Sequence, residues 1–477
     1  RLSGLVTTPL QTAARRVAAV TTLGQAAVFE VSAANDKAGL TILASREAQK
    51  EEPLAQFALL HDGHLWVAGN QLTKLAILPT GNQLPVRGLE RNFRGDSFDF
   101  PLQTAGKLLI HLRRPAGSAG AIVAATDAEA APIWETHLAV PPAGPPAVDS
   151  SGLRITAGAA SGVVYLLDRE AMTRRVQNEA ERLAVVPAAL PVFTDSIDLA
   201  QGRLVLGGVG GKQLLHFRPG NPRESLKAVD LAGPLSCPPV AWRDGFVAAT
   251  NVGQVALLNA DDASPVVTPF QPELTPGQEY RWLRPAVTGA AADSPLVISD
   301  GIRKLYLINV NAQPQPHLEA ITTVPVDGAP LVTPLAVAGE RVFAGTDKNQ
   351  LASYTLPDLK ADEPIALESR VAWGPHTAGD AVLLGLESGE LVAVGADGAV
   401  RWRQSLKHGE LGGAPLVDGE NAFLLFPTGG IARIALANGA EAAYTELGQP
   451  AIAGPVAFGP RLVVAAPDGT LLIVNRP

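Results

Sequence analysis

The chain has 477 residues, of which 47% are hydrophobic and 18% are charged, and its formal net charge at pH 7 is −8. This composition predicts a globular protein with a large core, and the acidic balance, with no Lys/Arg cluster, argues against a nucleic-acid-binding surface. No run of about 18 apolar residues occurs, so no transmembrane segment is predicted. Glycine (47 residues) and proline (39 residues) are plentiful, which is typical of many short strands separated by turns.

One order of strands and turns recurs along the chain: an apolar strand, a Gly turn, an alternating strand, a polar turn and another alternating strand. It is clearest in Gly328–Tyr354 and returns at Gly413–Ile434 and Gly454–Val474, each opened by Gly-Pro or Gly-x-Pro. The first apolar residue after each Gly turn marks a unit, and these markers are Val17, Leu65, Leu108, Leu153, Leu204, Phe246, Leu296, Val342, Val382, Phe423 and Leu462. A period of about 40–50 residues predicts an all-β fold, a β-propeller of about eleven four-stranded antiparallel blade units.

Two local patterns refine this prediction. Asp168–Arg182 is the most helix-like run, and we expect an exposed excursion between strands. Trp134 and Trp402 fall on predicted fourth strands, where an aromatic ring is expected to pack on the neighbouring unit rather than bind a ligand.

The unit Glu387–Trp402, ESGELVAVGADGAVRW, resembles the repeats of the pyrroloquinoline-quinone-like (PQQ-like) family. The matching positions are the Ser388–Gly389 turn, the Leu391–Val394 strand, and Gly398 with Trp402 in the closing Gly-x-x-x-Trp. The unit departs from the family at Val392, where Tyr is favoured, and at Gly395, where Asp is favoured. The resemblance covers nearly the whole chain, is strongest from Gly328 onward, and implies a β-propeller.

The most linker-like stretch is Val140–Val148, VPPAGPPAV. We therefore predict three blade units in residues 1–140 and an eight-bladed PQQ-like repeat propeller in residues 146–477. Three blades cannot close alone, so they complete a ring with upstream residues, or all units share one wide ring, or they divide differently into two rings. The last unit has no room for a fourth strand, so a closing strand is expected upstream of Arg1 or is absent. A chain that starts with Arg rather than Met also suggests that a leader, tag or upstream region is missing.

Quinoprotein dehydrogenases are the first enzymes to consider, because the family resemblance implies them. Such enzymes hold the quinone with a tryptophan floor and often a disulfide of adjacent cysteines, and hold calcium with acidic and amide side chains. Cys237 is the only cysteine, and no acidic and amide cluster matches position by position. We therefore expect no cofactor and no catalytic residue, and we interpret Cys237 as a small buried filler near the central channel.

Two other motifs have structural interpretations. His61–Asp62–Gly63–His64 is the only close histidine pair, but its place in the repeat predicts a turn, with the two histidines on opposite faces, rather than a metal site. Gly207–Gly211, GGVGG, is predicted to be a hairpin between two strands rather than a phosphate-binding loop.

The stretch that departs most from the repeat is Asp261–Arg284, which lies in one of the longest units. Lengthened loops on a repeat scaffold often lie on the binding face, and aromatic and guanidinium groups are enriched at interface hot spots. The candidate binding residues are Tyr280, Arg281, Trp282 and Arg284. The alternative is structural, because Arg281–Trp282 aligns with Arg401–Trp402 as an outer-strand tryptophan.

These observations predict a non-catalytic scaffold or binding module whose partner is another protein, with no nucleic acid. The resemblance to envelope-scaffold members of the family implies a periplasmic, envelope-associated or extracellular location. The alternative is a quinoprotein-type dehydrogenase or sugar-handling enzyme that uses the central channel.

Overall fold

The structure is a computed structural model that describes residues 2–32, 39–48, 56–69, 71–78, 81–87, 91–92, 97–98, 100–113, 121–129, 131–138, 141–149, 151–168, 180–181, 192–220, 225–273 and 279–477. These residues are all-β: they form eleven antiparallel sheets and contain no helix. Most of the helix-like run Asp168–Arg182 lies outside them. The chain divides into two compact units, Arg1–Val140 (unit 1) and Pro141–Pro477 (unit 2).

Unit 1 contains three four-stranded sheets in which the strands follow chain order. The first has β1 (Gln11–Ala13), β2 (Arg16–Val20), β3 (Ala26–Val31) and β4 (Leu40–Arg46). The second has β5 (Phe57–His61), β6 (His64–Ala68), β7 (Gln71–Ala76) and β8 (Arg91–Asn92), and the third has β9 (Gln103–Ala105), β10 (Leu108–Arg113), β11 (Ala121–Thr126) and β12 (Pro132–Leu138). Neighbouring sheets share buried apolar side chains, such as Val28 with Leu65 and Trp66 with Leu109.

The first four sheets of unit 2 lie between residues 147 and 325. Their strands are β13 (Ala147–Val148), β14 (Arg154–Gly158), β15 (Val164–Asp168) and β16 (Ala180–Glu181); β17 (Asp195–Asp198), β18 (Leu204–Gly207), β19 (Gln213–Phe217) and β20 (Leu226–Asp230); β21 (Val240–Trp242), β22 (Gly245–Ala249) and β23 (Val255–Asn259); and β24 (Ala286–Val287), β25 (Leu296–Ser299), β26 (Lys304–Asn311) and β27 (His317–Pro325). The sheet β21–β23 has three strands, and isolated bridges from Pro265 and Phe270 cover its outer edge instead of a fourth.

The last four sheets follow the same order, except that Lys360–Ala361 and Ile365–Ala366 both pair with the third strand of their sheet, Gln350–Thr355. Their strands are β28 (Ala336–Ala338), β29 (Arg341–Gly345), β30 (Gln350–Thr355), β31 (Lys360–Ala361) and β32 (Ile365–Ala366); β33 (Val371–Ala378), β34 (Ala381–Leu386), β35 (Glu390–Gly395) and β36 (Val400–Ser405); β37 (Gly412–Asp418), β38 (Asn421–Phe426), β39 (Gly430–Ala435) and β40 (Glu441–Glu446); and β41 (Ala453–Phe458), β42 (Arg461–Ala465) and β43 (Leu471–Asn475). The last sheet has three strands, as the sequence predicts.

The eight sheets of unit 2 close into a ring. Each neighbouring pair from the first sheet to the last shares a cluster of buried apolar residues. The first strand of the first sheet, β13, also contacts the first strand of the last sheet, β41. Radially arranged antiparallel sheets of this kind form a β-propeller, which buries the faces of its sheets against one another.

The repeat markers explain why the sheets form where they do. Ten of them lie on the second strand of a sheet, and Leu153 directly precedes the second strand β14. That strand is covered by a sheet on either side, so it is apolar along its length: Leu204–Gly207, Leu296–Ser299 and Ala381–Leu386 are fully buried. The apolar strand that the sequence repeats most regularly is therefore the buried one.

The direction of the strands defines two faces of the ring. In an antiparallel sheet with strands in chain order, the loop between the second and third strands lies at the end where the first strand begins. The connection from the fourth strand to the next sheet lies there as well. We call this side of unit 2 the upper face.

Candidate functional site

The first strand of each sheet is the inner strand of the ring, and the fourth is the outer strand. A cavity of about 620 Å³ lies at the centre of unit 2, where the inner strands begin. Its wall is mostly apolar and includes Pro142, Phe193, Pro238 and Ile452. Its charged or titratable lining side chains among the described residues are Asp195, Arg284 and His376. A concave, mainly apolar cavity with a few convergent polar groups is the usual form of a small-molecule site.

The Gly-Pro and Gly-x-Pro starts of the repeat build one side of this cavity. The inner strands β33, β37 and β41 each carry a register shift at Gly374, Gly413 or Gly454. Gly413 has a φ of 62° and Gly454 a φ of 109°, backbone conformations that residues other than glycine rarely adopt. These bulges turn the strand starts into the cavity wall, so the motif that opens the repeat also shapes the site.

Arg284 supplies the only positive charge among the described residues that line the cavity. Its side chain is exposed to the cavity and makes no hydrogen bond or ion pair with the part of the chain that the structure describes. Its charge nevertheless reaches its neighbours, because it favours the anionic forms of Asp195 and Cys237 and disfavours protonation of His376. The guanidinium is therefore positioned beside these groups with its donors available.

Asp195 is the acidic group of the cavity. Burial raises the pKa of its carboxyl above the usual value, and a hydrogen bond from Thr194 Oγ1 to Asp195 Oδ2 (3.1 Å) and the charge of Arg284 oppose this shift. No ion pair within 4 Å joins Asp195 to Arg284 in the described structure. The two groups therefore interact through their charges alone, and the donors of Arg284 stay available for another acceptor.

His376 adds a neutral polar group. Burial, assisted by the charge of Arg284, lowers the pKa of its imidazole to about 4, so the ring is uncharged at pH 7. The ring packs on Trp373 with a centroid distance of 4.4 Å. Neither ring nitrogen has a hydrogen-bond partner among the residues that the structure describes. A neutral imidazole of this kind offers one donor and one acceptor.

Cys237 lies next to this group but not in the cavity wall. It is 4% exposed and belongs to the core between the sheets β21–β23 and β24–β27. Burial raises the pKa of its thiol to about 12, so the reactive thiolate is scarce at neutral pH. This agrees with the buried filler that the sequence predicts.

The four candidate binding residues occupy three different environments. Tyr280 and Trp282 are buried, and their rings stack on each other at 5.0 Å. Arg281 is exposed outside the cavity, whereas Arg284 lines it. The structure therefore brings Arg284 together with Asp195 and His376, not with the two aromatic rings.

The predicted outer-strand position of Trp282 is wrong. Trp402 lies on the outer strand β36, but Trp282 lies in the segment before the inner strand β24. The described residues between β23 and β24, 260–273 and 279–285, form no regular fourth strand, and Trp282 lies in the core beside Tyr306. Trp402 does join two sheets, since its Nε1 donates to Leu436 O at 2.8 Å. The ring of Trp134 on β12 is instead 42% exposed.

The histidine pair flanks a turn, as predicted, but the two histidine side chains lie on the same face of the sheet rather than on opposite faces. His61 and His64 are directly paired across the hairpin between β5 and β6, and Asp62 and Gly63 have φ values of 48° and 71°. Directly opposed residues of an antiparallel pair point to the same side of the sheet. The described residues contain no group of three or more His, Cys, Asp or Glu side chains suited to a metal.

Gly207–Gly211 joins β18 to β19, as the hairpin prediction requires. In the part of the chain that the structure covers, no helix has the length and apolar character needed to span a membrane.

Sequence reasoning missed Asp195 and His376. His376 follows a Gly-Pro pair, so the repeated strand start was an available signal for it. Asp195 lies 89 residues from Arg284 in sequence, and no local pattern links the two.

Exposed aliphatic side chains lie around the cavity on the upper face. Six such residues occupy second-to-third loops or the connections that lead into inner strands: Val192, Val209, Val252, Ile302, Val332 and Ile452, which we call the aliphatic arc. In the described loops of the opposite face of unit 2, Leu153 is the only large apolar side chain of comparable exposure. Among the described residues, the upper face therefore has more exposed aliphatic side chains in its loops than the opposite face.

Residues 358–476, which include β31–β43, match the family model described as "Outer membrane protein assembly factor BamB". This match confirms the resemblance to PQQ-like repeat β-propellers. A search of curated proteins finds no match.

The solved structures to which this chain is similar are distant in sequence. BamB from Moraxella catarrhalis is 15% identical, with a TM-score of 0.41 over 80% of this chain and 99% of that chain. The computationally designed Ika8 protein is 12% identical, with a TM-score of 0.50 over 71% of this chain and 96% of that chain. The C-terminal WD40 domain of Sif2 is 12% identical, with a TM-score of 0.50 over 71% and 97%. WD40 domains are β-propellers, so the last similarity supports the fold alone.

Proposed function

We propose that this β-propeller with PQQ-like repeats is a non-catalytic platform that binds another protein through the upper face of unit 2. On this proposal the eight sheets of unit 2 are eight blades, and the three sheets of unit 1 are further blade units. The aliphatic arc is the observation that carries the proposal. Six exposed aliphatic side chains lie on this face, and we interpret them as contact points for a partner, because exposed apolar patches mark protein interaction sites.

The arrangement of the arc suits a partner that covers several blades at once. Val209, Val252, Ile302 and Val332 belong to consecutive sheets or to the connections between them, and their exposed fractions range from 42% to 65%. A partner that buried these side chains would gain roughly 25 cal/mol for each Å² of apolar surface removed from water. Rigid sheets hold the loops in place, which limits the conformational entropy lost on binding.

The chemistry in and beside the cavity favours a binding role over catalysis. The thiol of Cys237, beside the cavity, has a raised pKa and the imidazole of His376, in its wall, a lowered one, so neither is poised for proton transfer or nucleophilic attack near pH 7. The family model that matches residues 358–476 is that of an outer-membrane assembly factor. This similarity supports our proposal of a location in the periplasm, the envelope or the extracellular space. We further propose that the partner is another protein and that no cofactor is bound.

Crosslinking in native envelope extract, followed by affinity purification, tests the proposal. The variant Val252→Asp/Ile302→Asp/Val332→Asp should lose a reproducible partner that the unaltered protein retains. The matched control is Ile321→Asp/Val400→Asp, which places charges on exposed positions of the outer strands β27 and β36. Equal recovery of the partner with both variants, or recovery of no partner at all, would contradict the proposal.

A second measurement addresses the enzyme alternative. Purified protein mixed with pyrroloquinoline quinone and calcium should show neither saturable quinone binding nor dye-linked dehydrogenase activity. Turnover above that of heat-denatured protein would exclude a purely non-catalytic role.

A further inference from the structure

The central cavity of unit 2 contains a cationic group that can bind an anion. The guanidinium of Arg284 faces the cavity and has no hydrogen bond or ion pair among the described residues. A guanidinium presents a planar fork of donors that matches a carboxylate in a bidentate geometry. In a partly closed, mainly apolar cavity, such a pair is stronger than at an open surface, because water screens it less.

The other titratable groups restrict the charge of the ligand. Asp195 contributes one negative charge that offsets Arg284, and His376 is uncharged at pH 7. A ligand with two or three acidic groups would place a carboxylate against Asp195. One anionic group is therefore favoured, with the ring nitrogens of His376 available for one further hydrogen bond.

The cavity wall restricts the rest of the ligand. Prolines and aliphatic or aromatic side chains, including Pro142, Phe193 and Ile452, form most of the lining. The volume of about 620 Å³ is within the range of small-molecule sites, which is roughly 300–1,000 Å³. An apolar body of several carbon atoms can fill this space, whereas a formate or acetate ion would leave most of it to water.

We propose that the cavity of unit 2 binds a small organic acid that has one carboxylate, set against Arg284, and an apolar body that lies against the proline and aliphatic wall. This binding role is additional to the protein-binding role proposed for the aliphatic arc. Val192 and Ile452 of the arc also line the cavity, but Val252, Ile302 and Val332, the positions changed to test the protein-binding role, do not.

Isothermal titration of the full chain with octanoate and 3-phenylpropionate, at pH 7, tests this site. Both acids should bind at one site per chain, and their primary amides, which have the same shape without the charge, should bind at least about tenfold more weakly. Citrate should bind more weakly than octanoate. Equal affinity for acids and amides, or no binding of either acid, would overturn the proposal.

Two substitutions with opposite expected effects locate the carboxylate. Arg284→Gln should weaken octanoate binding by about tenfold or more, whereas Asp195→Asn should strengthen it by removing the opposing charge. Arg281→Gln, at the exposed arginine three residues away, is the matched control and should bind octanoate as the unaltered protein does. Unchanged affinity in Arg284→Gln, with unfolding midpoints equal in all variants, would overturn the assignment.

A further titration distinguishes a free small acid from an acidic side chain of a protein as the ligand. A capped pentapeptide with a central glutamate, titrated at the same concentrations, should bind at least about tenfold more weakly than octanoate, because its polar backbone would face the apolar wall. Comparable binding of the peptide would overturn the assignment to a small acid.

Discussion

The indole Nε1 of Trp373 donates a hydrogen bond of 2.6 Å to the carbonyl oxygen of Gly413 and joins two neighbouring sheets of unit 2. The donor lies on β33 and the acceptor on β37, so the bond crosses the boundary between the sheets beside the cavity. Trp242 and Trp402 make similar bonds to Ser294 O and Leu436 O, each at 2.8 Å. Tryptophan is therefore a recurrent link between successive sheets of this ring.

Removing this link should destabilise unit 2. Trp373→Phe keeps an aromatic ring but leaves the Gly413 carbonyl without its donor, and we expect the free energy of unfolding to fall by about 1–2 kcal/mol more than ring shrinkage alone would cause. Trp282→Phe is the matched control: Trp282 is 2% exposed, yet its Nε1 has no acceptor in the described structure. Urea unfolding of both variants measures the difference. An equal loss in the two would show that the hydrogen bond contributes nothing.

A methyl group at Gly413 should disturb the same boundary. A Cβ there would lie 2.6 Å from the Gly454 carbonyl oxygen, on the next inner strand, and the φ of 62° adds strain. Gly419 has a similar φ of 59° but open space around its Cα. Gly413→Ala should therefore lower the free energy of unfolding by about 1–3 kcal/mol more than Gly419→Ala, the cost typical of overpacking. Chemical denaturation measures the two losses. Similar losses in both variants would show that only backbone strain, and no clash with the Gly454 carbonyl, opposes a side chain at Gly413.

His376 should make unit 2 less stable in mild acid. Its pKa is lowered from 6.5 to about 4 in the folded protein, mainly by burial. Between these values the unfolded chain binds a proton that the folded chain does not, so stability is lost as the pH falls from about 6.5 towards 4. For His376→Asn we expect the loss of unfolding free energy between pH 7 and pH 5 to be smaller by about 1–2 kcal/mol.

Urea titrations at the two pH values measure this difference. The control is His317→Asn, on the outer strand β27 away from the cavity. A pH dependence that is the same in His376→Asn and in the unaltered protein would contradict the lowered pKa.

Cys237 should be unreactive in the native state. Its thiol is buried and its pKa is raised to about 12, so thiolate is scarce at pH 8 and reagents lack access. A colorimetric thiol reagent should react with less than about a tenth of the thiol in the time that fully labels protein in 6 M guanidinium chloride. Rapid labelling of the folded protein would place Cys237 at an accessible position instead.

Much of the fold was predictable because its signals are local. The alternation of apolar residues and the positive-φ glycines act over a few residues, and ten of the eleven repeat markers lie on second strands. The identical pair Arg-Trp at 281–282 and 401–402 shows the limit of this reasoning. Trp402 lies on an outer strand, but Trp282 is in the core, because the described residues after β23 form no regular fourth strand.

The pairing of His61 with His64 shows a second limit. Strand alternation places residues three apart on opposite faces, yet the hairpin register sets these two directly across from each other. The turn was predictable from Asp62 and Gly63, whereas the side on which the histidines lie depends on the register of the two strands.

The sequence by itself determined the repeated strands, the turns between them and the buried second strand of each sheet, because hydrophobic period and turn chemistry are local properties. Only the tertiary structure decided which residues meet in the cavity. Asp195 lies on β17, Arg284 lies in the segment before β24 and His376 lies on β33, and they are separated by 89 and 92 residues. They converge because eight sheets close into a ring, and ring closure depends on packing between faces that no single repeat specifies.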